Sequence, residues 1–261
     1  MKFPFFHIDA FTSNIFAGNP AGVCFLDEML DERLLQAIAA ENNLSETAFL
    51  APAGDGYELR WFSPSMEIDL CGHATLASAH AVFEYIDPDA RQVLFSTKSG
   101  DLSVVRKDNL LIMNFPSRHP EPCEAPEGIA EILGAAPRET LKARDLMVIF
   151  DNEEQIRDMT PDIRAIEELD YFAVIVTATG RKSDFVSRFF APRAGVSEDP
   201  VTGSAHSTLI PYWSEILGKK ELYALQLSER GGELFCADLD GRVAIGGHAV
   251  TFLSGTIDIE P

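Results

Sequence analysis

The chain has few cysteines, few basic residues and no long apolar run, and each shortage removes a class of protein from consideration. Its 261 residues include four cysteines that lie far apart without CxxC spacing, so we expect reduced thiols. The longest apolar runs are much shorter than a membrane-spanning helix. Only 21 lysines and arginines oppose 41 acidic residues, and the charge of −20 repels nucleic-acid phosphates and anionic lipid surfaces. We therefore expect no nucleic-acid partner and no membrane partner.

The N-terminal segment lacks the features of a secretion signal. Residues 1–9 (MKFPFFHID) include no apolar stretch of signal-peptide length and reach an acid early. Together with the reduced thiols, this predicts a cytoplasmic location. The residues that are present, 46% apolar and 24% charged, are typical of a globular protein with a large core.

Two glycine turns, each followed by an apolar run, organise the rest of the chain. Residues 70–80 (LCGHATLASAH) and 202–206 (TGSAH) both have a glycine directly before a helical pattern. A short motif precedes each turn, RWFSP at 60–64 and RFFAP at 188–192, at an offset of 128 positions. The glycines are 131 positions apart, so the second copy has three extra residues, in the segment 195–201 (GVSEDPV) with its acidic pair. These repeated motifs and turns predict an internal duplication.

Periodicity predicts the same order of elements in both halves. In the first half, strands are expected at 5–11, 21–26, 44–50 and 57–62, with helices over 31–41 and from 72 to about 85. In the second half, strands are expected at 146–150, 171–177 and 185–190, with helices over 161–169 and 203–217. A proline-rich segment, 116–126, separates the halves. We predict an N-terminal half over 1–117, completed by a last strand at about 250–261, and a C-terminal half over 127–249.

Two related halves, each with a helix that starts at a glycine turn, predict a cleft with a small-molecule site between them. Backbone N–H groups at a helix start attract anions, so a small carboxylate substrate fits, and neither a metal nor a nucleotide is needed. His73 and His80 are seven residues apart on one helix face, too far for direct ligation of one ion. We therefore expect no metal and no cofactor.

Four motifs, in the same order, resemble the PhzF (phenazine biosynthesis-like) family: GNP at 18–20, SETAF at 45–49, CGHAT at 71–75 and EDPVTGSA at 198–205. The resemblance covers essentially the whole chain. It implies an α+β fold of two pseudo-symmetric halves, each a central helix wrapped by a barrel-like mixed β-sheet, similar to diaminopimelate epimerase. It also implies a cofactor-independent isomerase, since the family's namesake moves a proton within trans-2,3-dihydro-3-hydroxyanthranilate. Family members often form homodimers, so the resemblance allows a homodimer here.

The same resemblance implies roles for individual residues. Glu46 falls on the family's acid/base glutamate, while His73 and Asp199 fall on its supporting polar residues. We expect these three to be the catalytic residues. The positions assigned to substrate binding, mainly to the substrate carboxylate, are Asn19, Gly72, Gly203 and Ser204.

The two glycine turns also bear on the mechanism. Epimerases of this fold use two thiols, one at each turn, to remove and return a proton on opposite faces. This chain has Cys71 at the first turn but Thr202 at the second, and a hydroxyl is too weak an acid to replace a thiol. A single carboxylate, Glu46 among apolar neighbours, is instead expected to serve both halves of a proton shift on one face.

Alternatives to this mechanism stay open. One is a cysteine-dependent epimerase or lyase that uses Cys71, although His73 is only two residues away and its ring need not reach the sulfur. Another is a non-catalytic binding protein that retains the fold. Asp199 on its own is expected to cap the second helix or to bind the Thr202 amide.

Overall fold

The structure, a computed structural model, describes residues 1–259 and is of the α+β class. In chain order, the elements up to residue 116 are β1 (Lys2–Ala10), β2 (Asn19–Phe25), α1 (Glu32–Asn42), β3 (Glu46–Ala53), β4 (Gly56–Phe62), β5 (Glu67–Ile68), α2 (Gly72–Ala81), β6 (Gln92–Thr97), β7 (Gly100–Lys107) and β8 (Leu110–Pro116). The later elements are β9 (Glu121–Pro122), α3 (Ile129–Leu133), β10 (Glu139–Lys142), β11 (Leu146–Ile149), α4 (Glu153–Arg157), α5 (Ile163–Glu168), β12 (Val174–Thr179), β13 (Phe185–Phe190), α6 (Gly203–Leu217), β14 (Glu221–Gln226), β15 (Gly232–Asp238), β16 (Arg242–Gly247) and β17 (Ala249–Asp258). The end of the predicted last strand, at 260–261, lies outside the described residues.

The chain divides into two compact units. The first unit contains Met1–Asn114 and the chain from Gly246 onward, and the second contains Phe115–Ile245. Each unit has its own apolar core, which in the first joins side chains of β1, β2, α1, β3 and β4, and in the second joins α3, β11, β12 and β13 among others. The domain boundaries that the sequence predicts, at 117, 127 and 249, stay predictions.

The sheet of the first unit alternates antiparallel and parallel pairs. Strand β1 is antiparallel to both β17 and β2, and β2 is parallel to β3. Strand β3 is antiparallel to β4, β4 is parallel to β6, and β6 is antiparallel to β7. Each parallel pair is joined by a crossover that contains a helix, because parallel neighbours cannot be joined by a tight turn: α1 follows β2, and α2 lies between β4 and β6.

The sheet of the second unit has the same alternation. Strand β10 is antiparallel to β11, β11 is parallel to β12, and β12 is antiparallel to β13. Strand β13 is parallel to β14, which is antiparallel to β15. Helices again lie in the parallel crossovers, α4 and α5 in one and α6 in the other. The duplication that the sequence predicts is therefore also a repeat of topology.

Helix α2 lies within the first unit and packs against β1, β2, β3 and β17. All of its residues except Gly72 and His80 are buried, as expected for a helix that packs against four strands. Its buried hydroxyl groups are satisfied within the helix. Thr75 donates to the Cys71 carbonyl at 2.5 Å, and Ser78 donates to the Ala74 carbonyl at 2.7 Å.

Helix α6 has the corresponding place in the second unit and is also largely buried. The Trp213 indole donates to Thr177 Oγ1 at 3.0 Å and stacks on Phe185, with ring centroids 5.7 Å apart. The fully buried His206 donates from Nδ1 to the Thr202 carbonyl at 2.8 Å. Counted from the two glycine turns, His206 matches Thr75, and both side chains bond the carbonyl of the residue that precedes their helix.

The predicted elements agree best with the structure where periodicity is strong. The strand at 185–190 and the helix at 203–217 coincide with β13 and α6. The helix predicted from 72 to about 85 is an α-helix to Ala81, followed by a π-helical turn over Val82–Ile86. Strands β10 and β14 were not predicted. Strand β14 has Gln226 at a buried position, which interrupts the apolar alternation.

No helix within residues 1–259 has both the length and the apolar content that a membrane crossing requires. All four cysteines lie in that part of the chain and are free thiols: Cys24, Cys71, Cys123 and Cys236. Burial raises the pKa of Cys24 to about 12, and burial followed by the nearby Asp184 raises the pKa of Cys236. Those two thiols therefore stay protonated at neutral pH.

The buried His206 predicts a loss of stability in mild acid. Burial lowers its pKa to about 4, although the Thr202 carbonyl opposes this shift. Between about pH 6.5 and pH 4 the unfolded chain binds a proton at this residue that the folded chain does not, so the free energy of unfolding falls as the pH falls. Asparagine at 206 keeps a donor for the Thr202 carbonyl without titrating. We expect His206→Asn to show a shallower loss of stability over this interval in urea unfolding, whereas parallel pH curves would contradict the assignment.

Candidate active site

The side chain of Glu46 lies where α1 ends and β3 begins. Asn43, in the left-handed conformation (φ 49°), caps the C-terminus of α1, and Glu46 is the first residue of β3. Because β3 is parallel to β2, with Ala21 opposite Glu46, the carboxyl group lies at the edge where both strands begin. It is 15% exposed.

The start of α2 brings a buried imidazole and a buried thiol to this carboxyl group. Cys71 occupies the N-cap of α2 in an extended conformation, and His73 is the second residue of the helix. The Nε2 atom of His73 lies 3.0 Å from Glu46 Oε2, and its Nδ1 atom lies 3.4 Å from Cys71 Sγ. The expectation that this ring need not reach the sulfur is therefore wrong. Three side chains form a chain of contacts, with the imidazole in the middle.

The charge state of the imidazole follows from its two neighbours. Burial by itself lowers the pKa of His73, but the Cys71 sulfur and the Glu46 carboxylate oppose this effect and raise the pKa well above 6.5. Burial, and then the Glu46 charge, raise the pKa of Cys71. The raised pKa of His73 favours the imidazolium form of its ring at neutral pH.

Glu46, Cys71 and His73 also offer three of the side-chain types that bind zinc, with one ligand atom from each lying within 4.8 Å of the others. The geometry does not favour binding of a single metal ion by all three side chains, because the ring presents Nε2 to the carboxylate and Nδ1 to the sulfur. A metal would have to replace one of these contacts. His80 lies apart from the cluster, with Nε2 3.1 Å from Thr251 Oγ1.

Two further predicted residues lie at the same edge of the first unit. Asn19 is the first residue of β2 and is fully buried, and Gly72 is the first residue of α2. The turn before Asn19 depends on Gly18, which has φ +67°. A Cβ atom at Gly18 would lie 2.2 Å from the Ala10 carbonyl oxygen, so a side chain cannot fit. The roles of Asn19 and Gly72 in substrate binding stay predictions.

The start of α6, in the second unit, has a different set of contacts. The Thr202 hydroxyl donates to Asp199 Oδ2 at 2.5 Å, and its backbone amide donates to Gln226 Oε1 at 2.9 Å. The Gln226 amide in turn donates to the Asp199 carbonyl at 2.8 Å. The expectation that Asp199 binds the Thr202 amide is therefore wrong, because Gln226 does so. Sequence reasoning missed Gln226 because the strand that contains it was not predicted.

The predicted carboxylate contact Ser204 lies beside an arginine that sequence reasoning also missed. Arg144 Nη2 lies 3.4 Å from Ser204 Oγ. The buried Asp145 fixes the guanidinium in a two-point pair at 2.8 and 2.9 Å, and Phe172 lies under it at 4.8 Å. No motif marks this pair, since it consists of two adjacent charged residues before a strand. Roles for Ser204, Gly203 and Asp199 in catalysis or binding stay predictions.

The acidic pair Glu198–Asp199 distinguishes the second unit from the first less than the sequence indicates. Arg188 binds Glu198 at 2.7 and 2.9 Å, just as Arg60 binds Glu67 at 2.7 Å through both of its contacts. Each arginine also lies over a phenylalanine two residues further on, at 5.1 and 5.2 Å. Glu198 therefore has a structural counterpart in the first unit, and Asp199 remains as the difference between the copies.

Comparison with known proteins agrees with this architecture. The family model for phenazine biosynthesis-like proteins matches residues 8–255. An uncharacterized isomerase of Pseudomonas aeruginosa is 48% identical, over 99% of this chain and 100% of its own length. The chain belongs to the PhzF family.

Solved structures show how far the PhzF fold extends. The crystal structure of a PhzF-family protein from Enterococcus faecalis has a TM-score of 0.97 and 44% identity, covering 99% of this chain and 100% of that chain. A probable proline racemase from Agrobacterium radiobacter has a TM-score of 0.65 at 10% identity, covering 99% and 94%, which supports the fold alone. The family, the fold and the isomerase class that the sequence predicts are confirmed: this chain is a PhzF-family isomerase.

The contact between His73 and Glu46 predicts a pH-dependent contribution to the stability of this PhzF-family protein. A histidine whose pKa is raised on folding stabilises the protein fully below its unfolded value of about 6.5, and this contribution is lost as the pH rises through the folded value. We expect the stability lost in His73→Gln, relative to the unmodified chain, to be largest near pH 6 and to shrink as the pH rises above 6.5 into the alkaline range. Urea unfolding across this interval measures the difference, and a difference that grows with pH would reverse the sign of the argument.

Proposed function

We propose that this isomerase moves a proton within a small carboxylate substrate, with Glu46 as the single acid/base group and without a cofactor. One observation supports the proposal above the others. The Glu46 carboxyl lies 3.0 Å from the buried His73 ring at a helix start whose N-cap residue is Cys71, while Thr202 occupies the matching place in the other unit. Two-thiol epimerisation lacks its second thiol.

The proposed reaction needs one group that both takes and returns a proton. Glu46, as a carboxylate, removes a proton from one carbon, so that a C–H bond breaks, an O–H bond forms and the electron pair passes into the unsaturated substrate. The resulting acid, which is 15% exposed and so can exchange its proton with water, then donates a proton to a second carbon on the same face, which shifts the double bond and regenerates the carboxylate. The positive His73 stabilises the carboxylate before and after each turnover.

The cysteine-dependent alternative has one observation in its favour, the 3.4 Å contact between Cys71 Sγ and His73 Nδ1. A reactive cysteine must be a thiolate, however, and burial together with the Glu46 charge raises the pKa of Cys71. An imidazolium that already faces a carboxylate is also a poor base for the thiol. We therefore favour Glu46 over Cys71 as the group that moves the proton.

Further expectations accompany the proposal. The helix starts at Gly72 and Gly203 direct backbone N–H groups towards their N-terminal side, which suits recognition of a carboxylate, and Ser204 adds a hydroxyl. We propose that these residues, Asn19 and Asp199 contribute to binding or positioning the substrate. A cytoplasmic location and a homodimer are likewise proposed, and light scattering on the purified protein measures the oligomeric state.

The variant Glu46→Gln tests the central claim. The amide keeps the shape of the side chain but cannot take up the proton, so we expect turnover to fall by a factor of at least about 10² while ligand binding is largely kept. The assay incubates the protein in deuterated water with pools of carboxylate metabolites and measures deuterium gained at carbon by mass spectrometry. Glu41→Gln is the matched control, because Glu41 is an exposed acid of α1 close to Glu46 in the chain.

The outcomes separate the candidates. Normal turnover in Glu46→Gln would refute the proposal. Loss of turnover in Cys71→Ser as severe as that in Glu46→Gln would favour the cysteine-dependent epimerase. Turnover absent from every carboxylate pool, together with saturable binding that does not depend on Glu46, would favour a binding protein.

A further inference from the structure

The three-residue chain of contacts in the first unit contains one member to which no role has been assigned, the thiol of Cys71. Its sulfur lies 3.4 Å from Nδ1 of His73, on the side of the ring opposite the Glu46 contact. Cys71 is 6% exposed and His73 is 4% exposed, so water has little access to Nδ1. The polar atom that the structure brings to Nδ1 is this sulfur.

The orientation of the ring depends on both contacts together. Rotation of the imidazole by half a turn about Cβ–Cγ exchanges each nitrogen with a carbon. The rotated ring would present C–H groups to both Cys71 and Glu46. The sulfur and the carboxylate therefore select the same orientation, in which Nε2 faces Glu46.

A thiol suits both protonation states of the ring. When the ring is an imidazolium, Nδ1–H donates to the sulfur. When the ring is neutral, S–H donates to Nδ1, which leaves the remaining ring proton on Nε2, facing the carboxylate. A methyl group in the same place would leave Nδ1 buried without a partner, and that cost is greater for the charged ring.

We propose that Cys71 is a positioning residue, which bonds Nδ1 of His73 in both protonation states and so keeps the Nε2 atom of the ring next to the Glu46 carboxyl group. As a part of catalysis, this role depends on the function proposed above. As a property of the folded protein it stands by itself. The titratable groups that face His73 within the described part of its unit are Glu46, from β3, and Cys71, from the start of α2.

The residues around Cys71 explain why the contact between its sulfur and His73 forms at this helix start. Cys71 is extended and Gly72 begins the helix, so two residues suffice to bring the sulfur back to the ring of His73. At the other helix start, Thr202 turns its hydroxyl to Asp199 instead. The contact between an N-cap side chain and a ring nitrogen is therefore a feature of the first unit only.

The test requires no substrate. The full-length protein is labelled with ¹⁵N at histidine, and the ring of His73 is identified among the six histidines by its absence from the spectrum of His73→Gln. In the unmodified chain we expect an Nδ1–H proton that exchanges slowly with water and a protonation midpoint above that of free histidine. In Cys71→Ala, we expect rapid exchange of that proton and a shift of the midpoint to lower pH.

Two variants make the result specific. Cys71→Ser retains a group that both donates and accepts, so we expect it to restore much of the slow exchange and of the midpoint. Cys24→Ala removes another buried thiol, on β2, and we expect it to leave both signals of His73 unchanged. Melting temperatures show whether each variant is folded. Spectra of His73 that are the same in Cys71→Ala as in the unmodified chain would overturn the proposal.

Two further measurements exclude other roles for the thiol. In the isomerase assay, we expect Cys71→Ala to lose roughly tenfold in kcat with little change in KM, and Cys71→Ser to recover, because a small misplacement of a catalytic group is costly. If Cys71→Ser is as inactive as Glu46→Gln, the thiol is catalytic and the positioning role is wrong. Titration with Zn²⁺ provides the second measurement, since stoichiometric binding that requires all three side chains would indicate a metal site instead. If Glu46→Gln retains turnover while the ring signals behave as expected, only the proposed function fails.

Discussion

The contact between the buried His73 and Glu46 is the interaction on which the candidate site depends. Two charged groups removed from water are costly unless they are paired closely, and removal of one member of such a pair commonly costs about 3–5 kcal/mol. Here the pair also joins two elements, because Glu46 begins β3 and His73 lies in the first turn of α2. The same 3.0 Å contact therefore joins the helix start to the start of β3 and helps to raise the pKa of the imidazole.

The two units share a strand topology but differ in the side chains at their helix starts. Their strand alternation is the same, and so is the arginine–glutamate pair over a phenylalanine that precedes each glycine turn. The helix starts differ. In the first unit burial lowers the pKa of His73, but Cys71 and Glu46 raise it well above 6.5. In the second unit burial lowers the pKa of His206 to about 4, and the Thr202 carbonyl opposes this shift only in part. Burial is similar in both, so the neighbouring charge decides the protonation state.

Much of this arrangement was predictable from the sequence. The motifs at 45–49 and 71–75 identified Glu46 and His73, and the apolar periodicity identified α6 and β13 to the residue. The errors have a common physical origin. Gln226 was missed, and Asp199 was expected to bind the Thr202 amide, because hydrogen bonds between elements distant in the chain produce no local pattern. The Cys71–His73 contact was not expected either, since separation in the chain does not determine side-chain rotamers.

The sequence by itself determined the duplication, because hydrophobic periodicity and glycine turns are local and repeat along the chain. Four motifs in order indicated the family, and the resemblance to that family implied the fold class. Tertiary structure alone decided which nitrogen of His73 faces Glu46 and which faces the sulfur, and which partner satisfies Thr202. Those outcomes depend on distances of about 3 Å between side chains and on the exclusion of water around them. Both arise only when α2 and α6 are buried against their sheets, where desolvation strengthens each charge and leaves no alternative hydrogen-bond partner in the solvent.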